Sequence, residues 1–392
     1  MTQFLPGALA SCRCEKFAIV RTMSSAPPAV TPLPDAVSLA TLRRALVVKL
    51  RHHGDVLLAS PVFAALKAHA PHLEIDALVY ADTSPMLTLH PAIAQVHMID
   101  RNWKREGIGV QARGEWRLLR ALRARDYDLI VHLTDHPRGA WLSWLLWPRF
   151  AVGPKKTAKG EFWRSSFTHF YGQPANARRH TVERNLDALR RLGVYPEPSE
   201  RKLVLVPGPE AEHRVETLLR EHGLQPKRFI QIHPASRWLF KCWPAERTAE
   251  LIGQLQQSGR RVVLTAAPDE RELNWIEAIT ARLLEPVVNL AGKLSLKDLA
   301  ALTARAQIFV GVDSAPMHIA AAMQTPTVAL FGPSGEAEWR PWQVAHFVIA
   351  SDHHPCRPCG IDGCGGGKIS ECLSTLPVSQ VLEAINDLLR DP

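Results

Sequence analysis

Short, nearly continuous apolar runs alternate along most of the chain with longer segments in which apolar residues return every three or four positions. Residues 45–50, 74–80, 94–99 and 127–133 read as strands, and their lack of apolar/polar alternation predicts burial on both faces. Between them, residues 56–69 place Leu57, Leu58, Val62, Ala65 and Leu66 at helical spacing, residues 85–89 form a short helix before Pro91, and residues 113–125 are again helical in period. A break follows at residues 201–210, where Pro207, Gly208 and Pro209 mark a linker behind an apparent strand at 202–206. The alternation then resumes, with strands at 229–233, 261–265, 287–290, 308–312 and 327–331. Strands separated by helices form parallel sheets with helices on both faces. The double occurrence predicts an α/β protein with two Rossmann-like, doubly wound domains, 41–205 and 206–376, followed by an amphipathic helix within 377–392. A chain of 392 residues supplies two cores of ordinary size without a third domain.

Two strand-to-helix junctions carry the candidate chemistry. In Ile308-Phe-Val-Gly-Val-Asp-Ser-Ala-Pro-Met-His318, a buried strand turns into a helix that Ser314 can cap and whose first turn accepts Pro316. Free N–H groups and the positive end of the helix dipole then face the crevice at the strand's carboxyl end, a place suited to a diphosphate, with Asp313, Ser314 and His318 at its mouth. In Arg51-His-His-Gly-Asp55, a tight loop places Asp55 at the start of a helix in the same way. Two such mouths predict domains whose strand ends face each other across a cleft. Neither half carries a Gly-x-Gly-x-x-Gly fingerprint, which disfavours a dinucleotide oxidoreductase.

Three blocks carry a resemblance. Val48-Lys-Leu-Arg-His-His-Gly-Asp-Val-Leu-Leu-Ala-Ser-Pro61, His233-Pro-Ala-Ser-Arg-Trp-Leu-Phe-Lys-Cys-Trp-Pro244 and Gly311-Val-Asp-Ser-Ala-Pro-Met-His318 resemble, in order, the signature blocks of the ADP-heptose:lipopolysaccharide heptosyltransferases, most like the heptosyltransferase III branch. The resemblance implies a GT-B fold, with the acceptor on the first domain, the ADP-sugar on the second, and the terminal helix within 377–392 packing back on the first. It implies an inverting glycosyltransferase that moves heptose from ADP-L-glycero-D-manno-heptose to an inner-core heptose of lipopolysaccharide, with no cofactor required. By the same resemblance Asp55 is the base, Ser236 and Lys241 bind the donor phosphates, and Asp313 holds sugar hydroxyls. Ser314 and the backbone of Ala315 hold a phosphate, His318 contacts the donor, Glu270 meets the ribose, and Leu294 walls the adenine pocket. Other branches have Gly in place of Ala315. Without the flanking blocks these residues have plainer readings: a cap for Asp55, a solvated surface group for Lys241, a core group for a histidine among Met317, Ile319 and Ala320. Glu270 would be an ordinary first-turn residue and Leu294 an ordinary core leucine.

Charge adds an asymmetry. Residues 1–200 hold 27 Lys and Arg against 17 Asp and Glu, whereas residues 201–392 hold 20 against 21. The basic surplus therefore lies in the half to which the resemblance assigns the anionic acceptor, a lipid A-core oligosaccharide, and it agrees with peripheral contact with the inner membrane from its cytoplasmic face. Residues 113–125, Lys155-Lys156-x-x-Lys159 and Arg178-Arg179-His180 supply it, and a merely solvated arginine-rich surface accounts for it equally well. No nucleic-acid motif accompanies the charge, so no nucleic-acid partner is expected. Trp141, Trp144 and Trp147 share one helical face that would meet lipid or acceptor, although an aromatic stripe at this spacing is more often core. The longest apolar clusters fall short of the roughly 20 residues of a spanning helix.

Residues 1–40 read as a disordered extension rich in Ser, Pro and Ala. Leu9-Ala-Ser-Cys12 looks like a lipoprotein cleavage box but lacks a preceding basic residue and an unbroken apolar core, and Met23 is an alternative initiator. Cys356, Cys359, Cys364 and Cys372 lie in one Gly-rich segment at spacings that could close around a structural zinc or an iron-sulfur cluster; reduced thiols are the other reading, and transfer chemistry needs no metal. The same residues also admit two other function classes: another nucleotide-sugar glycosyltransferase of core or surface polysaccharide assembly, and a non-catalytic module binding sugar nucleotide or lipid A.

Overall fold

A computed structural model describes residues 33–156, 159–172 and 178–390. Leu9-Ala-Ser-Cys12, Met23 and the rest of the extension up to residue 32 lie outside the described residues. From Leu33 the chain already packs: Val37 is buried and its N–H donates to Leu192 O at 3.0 Å, and Asp35 pairs with Arg191. The extension therefore ends earlier than residue 40, because Val37, Leu39 and Leu42 have apolar partners to cover.

The first half contributes β1 (Arg44–Val48), α1 (His53–Leu57), α2 (Ser60–His69), β2 (Glu74–Tyr80), β3 (Gln95–Ile99), α3 (Ile108–Arg125), β4 (Leu129–His132), α4 (Pro137–Leu146), β5 (Phe150–Pro154), α5 (Gly160–Ser165), β6 (His169–Tyr171) and α6 (Thr181–Arg190). The second contributes α7 (Pro209–Glu221), β7 (Phe229–His233), α8 (Ala245–Gln257), β8 (Arg261–Leu264), α9 (Glu270–Thr280), β9 (Val288–Asn289), α10 (Leu296–Arg305), β10 (Ile308–Val312), α11 (Ala315–Ala322), β11 (Thr327–Phe331), α12 (Glu336–Trp339), β12 (His346–Ala350), α13 (Glu371–Ser374) and α14 (Val378–Arg390). Each half forms a six-stranded sheet, in the orders β3-β2-β1-β4-β5-β6 and β12-β11-β10-β7-β8-β9, and the pairings are parallel throughout. The central strands β4, β7, β10 and β11 are buried at every position, as their unbroken apolar runs require.

Strand order reverses between β1 and β4 in the first sheet and between β10 and β7 in the second. A crevice opens at such a reversal because the connections on either side leave in opposite directions. Asp55 follows β1, Asp313 follows β10, and Ser236 and Lys241 follow β7, so all four residues leave strands at the two reversals. The halves are tied to each other by specific bonds: Lys297 on α10 donates to Thr88 O at 2.9 Å, Trp342 Nε1 donates to Arg201 O at 2.8 Å, and His180 Nε2 donates to Arg340 O at 2.8 Å. Leu299, Ala300, Ile319 and Ala321 of the second half join the apolar core of the first.

Four local expectations differ from what forms. The helix expected over 56–69 is two helices, because Pro61 sits in the first turn of α2 and cannot continue the hydrogen-bond ladder of α1. Residues 202–206 are extended without being a strand; Leu203 and Leu205 fill the first core while Val204 N donates to Ser60 Oγ at 2.9 Å. The terminal helix α14 does not pack back on the first domain: Val381, Ala384 and Ile385 pack with Ile230, Ile252 and Leu330 under the second sheet. The tryptophan stripe is not core, since Trp141, Trp144 and Trp147 are 52, 49 and 82% exposed while Ala140 and Leu142 face inward.

Candidate active site

The two mouths meet. A Cβ placed on Gly54, next to Asp55, would lie 2.9 Å from His318 Cδ2 and 3.8 Å from Ala315 Cα, so the loop between β1 and α1 rests against the start of α11. Glycine at position 54 is what allows this approach. Asp55 stands in the first turn of α1, half-buried, and its carboxylate makes no hydrogen bond or ion pair among the described residues. Beneath it Lys49 is buried, donating to Asn185 Oδ1 at 2.9 Å and Leu133 O at 3.3 Å, and Asn185 in turn donates to Leu58 O at 2.9 Å. These bonds anchor the chain on both sides of Asp55. Burial pushes the Lys49 ammonium down to about 8, and the nearby Asp55 carboxylate opposes that shift.

Across the crevice Lys241 Nζ donates to Asp313 Oδ2 at 2.6 Å, with the Asp313 side chain 8% exposed. Ser314 occupies the N-cap position of α11 in extended conformation, but its hydroxyl donates to Val312 O at 3.3 Å and makes no cap bond. The expected cap is therefore absent; Met317 N donates to Ser314 O at 3.2 Å and Pro316 has no N–H, so the Ala315 N–H is the one left at this helix start to meet an anion. Pro316 lies in that turn as expected. Ser236 is buried in the loop after β7, and Ala315 opens α11. His318, one turn further on, is buried, and its Nδ1 has no hydrogen-bond partner. Burial pushes His318 down to about 4, with Asp313 and Asp55 pulling upward and Lys241 downward. The ring thus feels the carboxylates of both mouths and the cation between them.

The remaining residues expected to meet the donor follow β8 and β9, the next strands of the second sheet beyond β7. Gly292 N donates to Ala266 O at 3.0 Å, which joins the loops after β8 and β9; Glu270 is exposed at the start of α9 and Leu294 is half-buried just beyond Gly292. Glu272 instead turns inward and accepts from Ala267 N at 3.0 Å. A groove of about 500 Å³ runs beside Lys241, lined by Trp238, Gly335, Trp339, Cys359 and Asp362. Sequence reading missed Trp238 and Trp339 as groove walls and gave Lys49 no role; a lysine ending an otherwise apolar strand was the available signal.

Of the two readings of the cysteine segment, the arrangement found matches reduced thiols. Among the described residues no three His, Cys, Asp or Glu side chains come together to hold an ion, and Cys242, Cys356, Cys359, Cys364 and Cys372 are free thiols. Cys356, Cys359 and Cys364 are exposed, while Cys372 is buried on α13 against Gly332. This segment instead bonds to the loop after β11, through its backbone from Gly360 N to Pro333 O at 2.9 Å and through a side chain from Arg357 Nε to Gly332 O at 2.7 Å.

Several histidines are held neutral by burial: His132 and His180 are pushed down to about 3, and His233 and His318 to about 4, from 6.5. A depressed folded value means that the unfolded chain binds protons first as pH falls. Stability is therefore full above about 6.5 and is lost toward pH 4, at about 1.4 kcal/mol per pH unit for each such histidine. The thermal midpoint should drop steadily between pH 6.5 and 4, and a flat midpoint over that window would contradict the neutral assignment.

Comparison with known proteins gives three concordant findings. The model of glycosyltransferase family 9 (heptosyltransferase) matches residues 115–369. Lipopolysaccharide heptosyltransferase 3 of Escherichia coli is 37% identical over 342 residues, 87% of this chain and 97% of that protein. Among solved structures, a glycosyl transferase family 9 protein from Veillonella parvula superposes with a TM-score of 0.78 at 24% identity, over 91% of this chain and all of that one. The E. coli heptosyltransferase WaaC with ADP-2-deoxy-2-fluoro heptose superposes with a TM-score of 0.67 at 22% identity, over 88% of this chain and 99% of that one. These two superpositions speak to the fold, which is of the GT-B type.

Proposed function

Because this chain belongs to glycosyltransferase family 9, the heptosyltransferases, and so transfers heptose in lipopolysaccharide core assembly, we propose that it takes the sugar from ADP-L-glycero-D-manno-heptose and places it on an inner-core heptose with inversion. The acceptor sits on the first domain, the ADP-sugar on the second. Asp55 removes the proton from the acceptor hydroxyl as that oxygen bonds to the anomeric carbon. The bond from that carbon to the β-phosphate oxygen breaks on the opposite face, and ADP leaves carrying the electron pair.

Positive charge at the departing diphosphate comes from Lys241 and the half-buried start of α11, at Ser314 and the backbone of Ala315, with Ser236 as a further donor. Lys241 exchanges Asp313 for phosphate on donor binding, which frees Asp313 to accept from heptose hydroxyls. His318 backs the donor from beneath, Glu270 meets the ribose and Leu294 the adenine. This scheme takes all its positive charge from the protein and routes no step through a metal. The reading rests above all on the contact of Gly54 with His318, which puts a free carboxylate and a cation-lined helix end on one crevice.

The acceptor is anchored in lipid, which places the enzyme at the cytoplasmic face of the inner membrane as a peripheral protein; no helix among the described residues is long and apolar enough to cross a bilayer. Purified protein incubated with ADP-heptose and heptose-deficient core should yield a product heavier by one heptose, detected by mass spectrometry. Turnover with UDP-sugars in place of ADP-heptose would instead favour a different nucleotide-sugar transferase, and donor binding without ADP release would favour an inert binding module.

A further inference from the structure

The outer surface of α3, α4 and α5 carries a feature that the transfer reaction does not use. These helices cover one face of the first sheet, with Leu118, Leu122, Ala140, Leu142 and Trp163 packed inward. Beyond Arg138, α4 has no charged residue, so it is apolar toward solvent as well as toward the core. A soluble helix that needs no partner turns a polar face outward. Here Trp141 and Trp144 stand out from α4, Trp147 follows at its end, and Phe162 of α5 packs on Trp141 with ring centroids 4.4 Å apart. Trp116, 60% exposed, stands on α3, next to Glu115, which pairs with Arg138 of α4 at 2.6 Å.

Charge frames these rings. Residues 108–165 contain 11 Lys and Arg against 5 Asp and Glu. The acids Glu115, Asp126, Asp128, Asp135 and Glu161 are all engaged by arginines. Arg113, Arg117 and Arg120 of α3 are exposed and have no carboxylate partner among the described residues, and Arg120 lies over the Trp116 ring at 5.5 Å. Indole rings flanked by unpaired cations match the headgroup layer of an anionic bilayer, where the ring sits among acyl-chain ends and the cation meets phosphate. The surface is also continuous with the crevice: Asp135, just before α4, pairs at 3.0 Å with Arg51 of the loop that carries Asp55.

The geometry points to the Trp141–Trp144–Trp147 face, with the arginines of α3, as the surface by which this protein docks on an anionic lipid bilayer beside its own acceptor mouth. The inference deepens the proposed function, since it rests on an acceptor that is itself anchored in lipid. Docking by this face would keep the Asp55 loop close to the membrane plane while the second domain receives ADP-heptose from solution.

Flotation with vesicles tests it on the full chain. The protein should rise with vesicles of phosphatidylethanolamine and phosphatidylglycerol and much less with vesicles of phosphatidylcholine alone. The triple variant W141S/W144S/W147S should lose vesicle binding by about tenfold or more, and R113Q/R117Q/R120Q should lose its preference for phosphatidylglycerol. Both should keep the parent's thermal midpoint, and the tryptophan variant should turn over a delipidated, water-soluble core acceptor at the parent rate. Parent-like flotation of a folded triple variant overturns the inference, as does a parent protein that binds neither vesicle. Concentration-dependent dimers that the triple variant abolishes, without vesicle binding, would assign the face to a second copy of the chain and overturn it too. A parent that floats yet transfers no heptose to any acceptor would remove the proposed reaction and leave the docking surface standing.

Discussion

Replacing Asp55 by alanine should abolish heptose transfer while leaving affinity for the ADP-sugar near the parent value. The carboxylate belongs to the first half, and the residues assigned to the diphosphate belong to the second. A base that acts only on the acceptor hydroxyl contributes to the transition state and not to donor binding, so the loss should fall on kcat, by about 10²- to 10⁴-fold. Asp55→Asn tests the same point with less change of shape, and it should be as inactive, because an amide cannot take the proton. Calorimetry with ADP completes the test: a large loss of ADP affinity in either variant would make Asp55 a donor or structural residue. Folding should survive both changes, since the carboxylate has no hydrogen-bond partner among the described residues to leave unsatisfied.

How the two mouths come to share one crevice is visible in the small residue between them. Gly54 could have been read as a turn residue, and its neighbour as a helix cap. Its role appears only when the His318 ring is found against it, because contact between segments some 260 residues apart leaves no periodicity in the chain. The same holds for Lys49. Its burial follows from Asn185 and Leu133 lying over the end of β1, an arrangement set by the packing of α6 and β4 and not by the strand's own pattern.

The double sheet, by contrast, was legible, since buried parallel strands impose continuous apolar runs and their crossover helices impose the longer period. Both rules act locally, residue by residue. The misreadings share a cause. Residues 202–206 have a strand's composition but lie between two domains, where Leu203 and Leu205 fill a core without a neighbouring strand to pair with. The tryptophans of α4 have a core residue's composition but face outward, because Ala140 and Leu142 already fill the space against the sheet. Composition tells how much apolar surface an element has, and not which of its sides the rest of the molecule covers. The proposed catalytic set was named through three ordered blocks; its residues in isolation have plainer readings, and the approach of Gly54 to His318 and of Lys241 to Asp313 is a property of the fold.

The strongest expected effect on the donor side comes from Lys241→Met. Lys241 is held by Asp313 at 2.6 Å, and the Asp313 carboxylate is largely shielded from water. Such a pair keeps each group oriented, and donor diphosphate then competes for the ammonium with more negative charge than one carboxylate offers. Removing the ammonium leaves the leaving group short of a cation as its charge develops, so kcat/KM for ADP-heptose should fall by about 10²- to 10³-fold. The affinity for ADP should weaken as well, which separates this variant from Asp55→Ala. Lys241→Arg keeps the charge on a bulkier group and should recover part of the loss. Asp313→Asn distinguishes two origins of the defect. If the methionine variant fails merely because Asp313 is left buried and unpaired, then Lys241→Met combined with Asp313→Asn should regain ADP affinity. If Lys241 binds phosphate, the double variant should remain as weak as Lys241→Met, and calorimetric titration with ADP decides between the two.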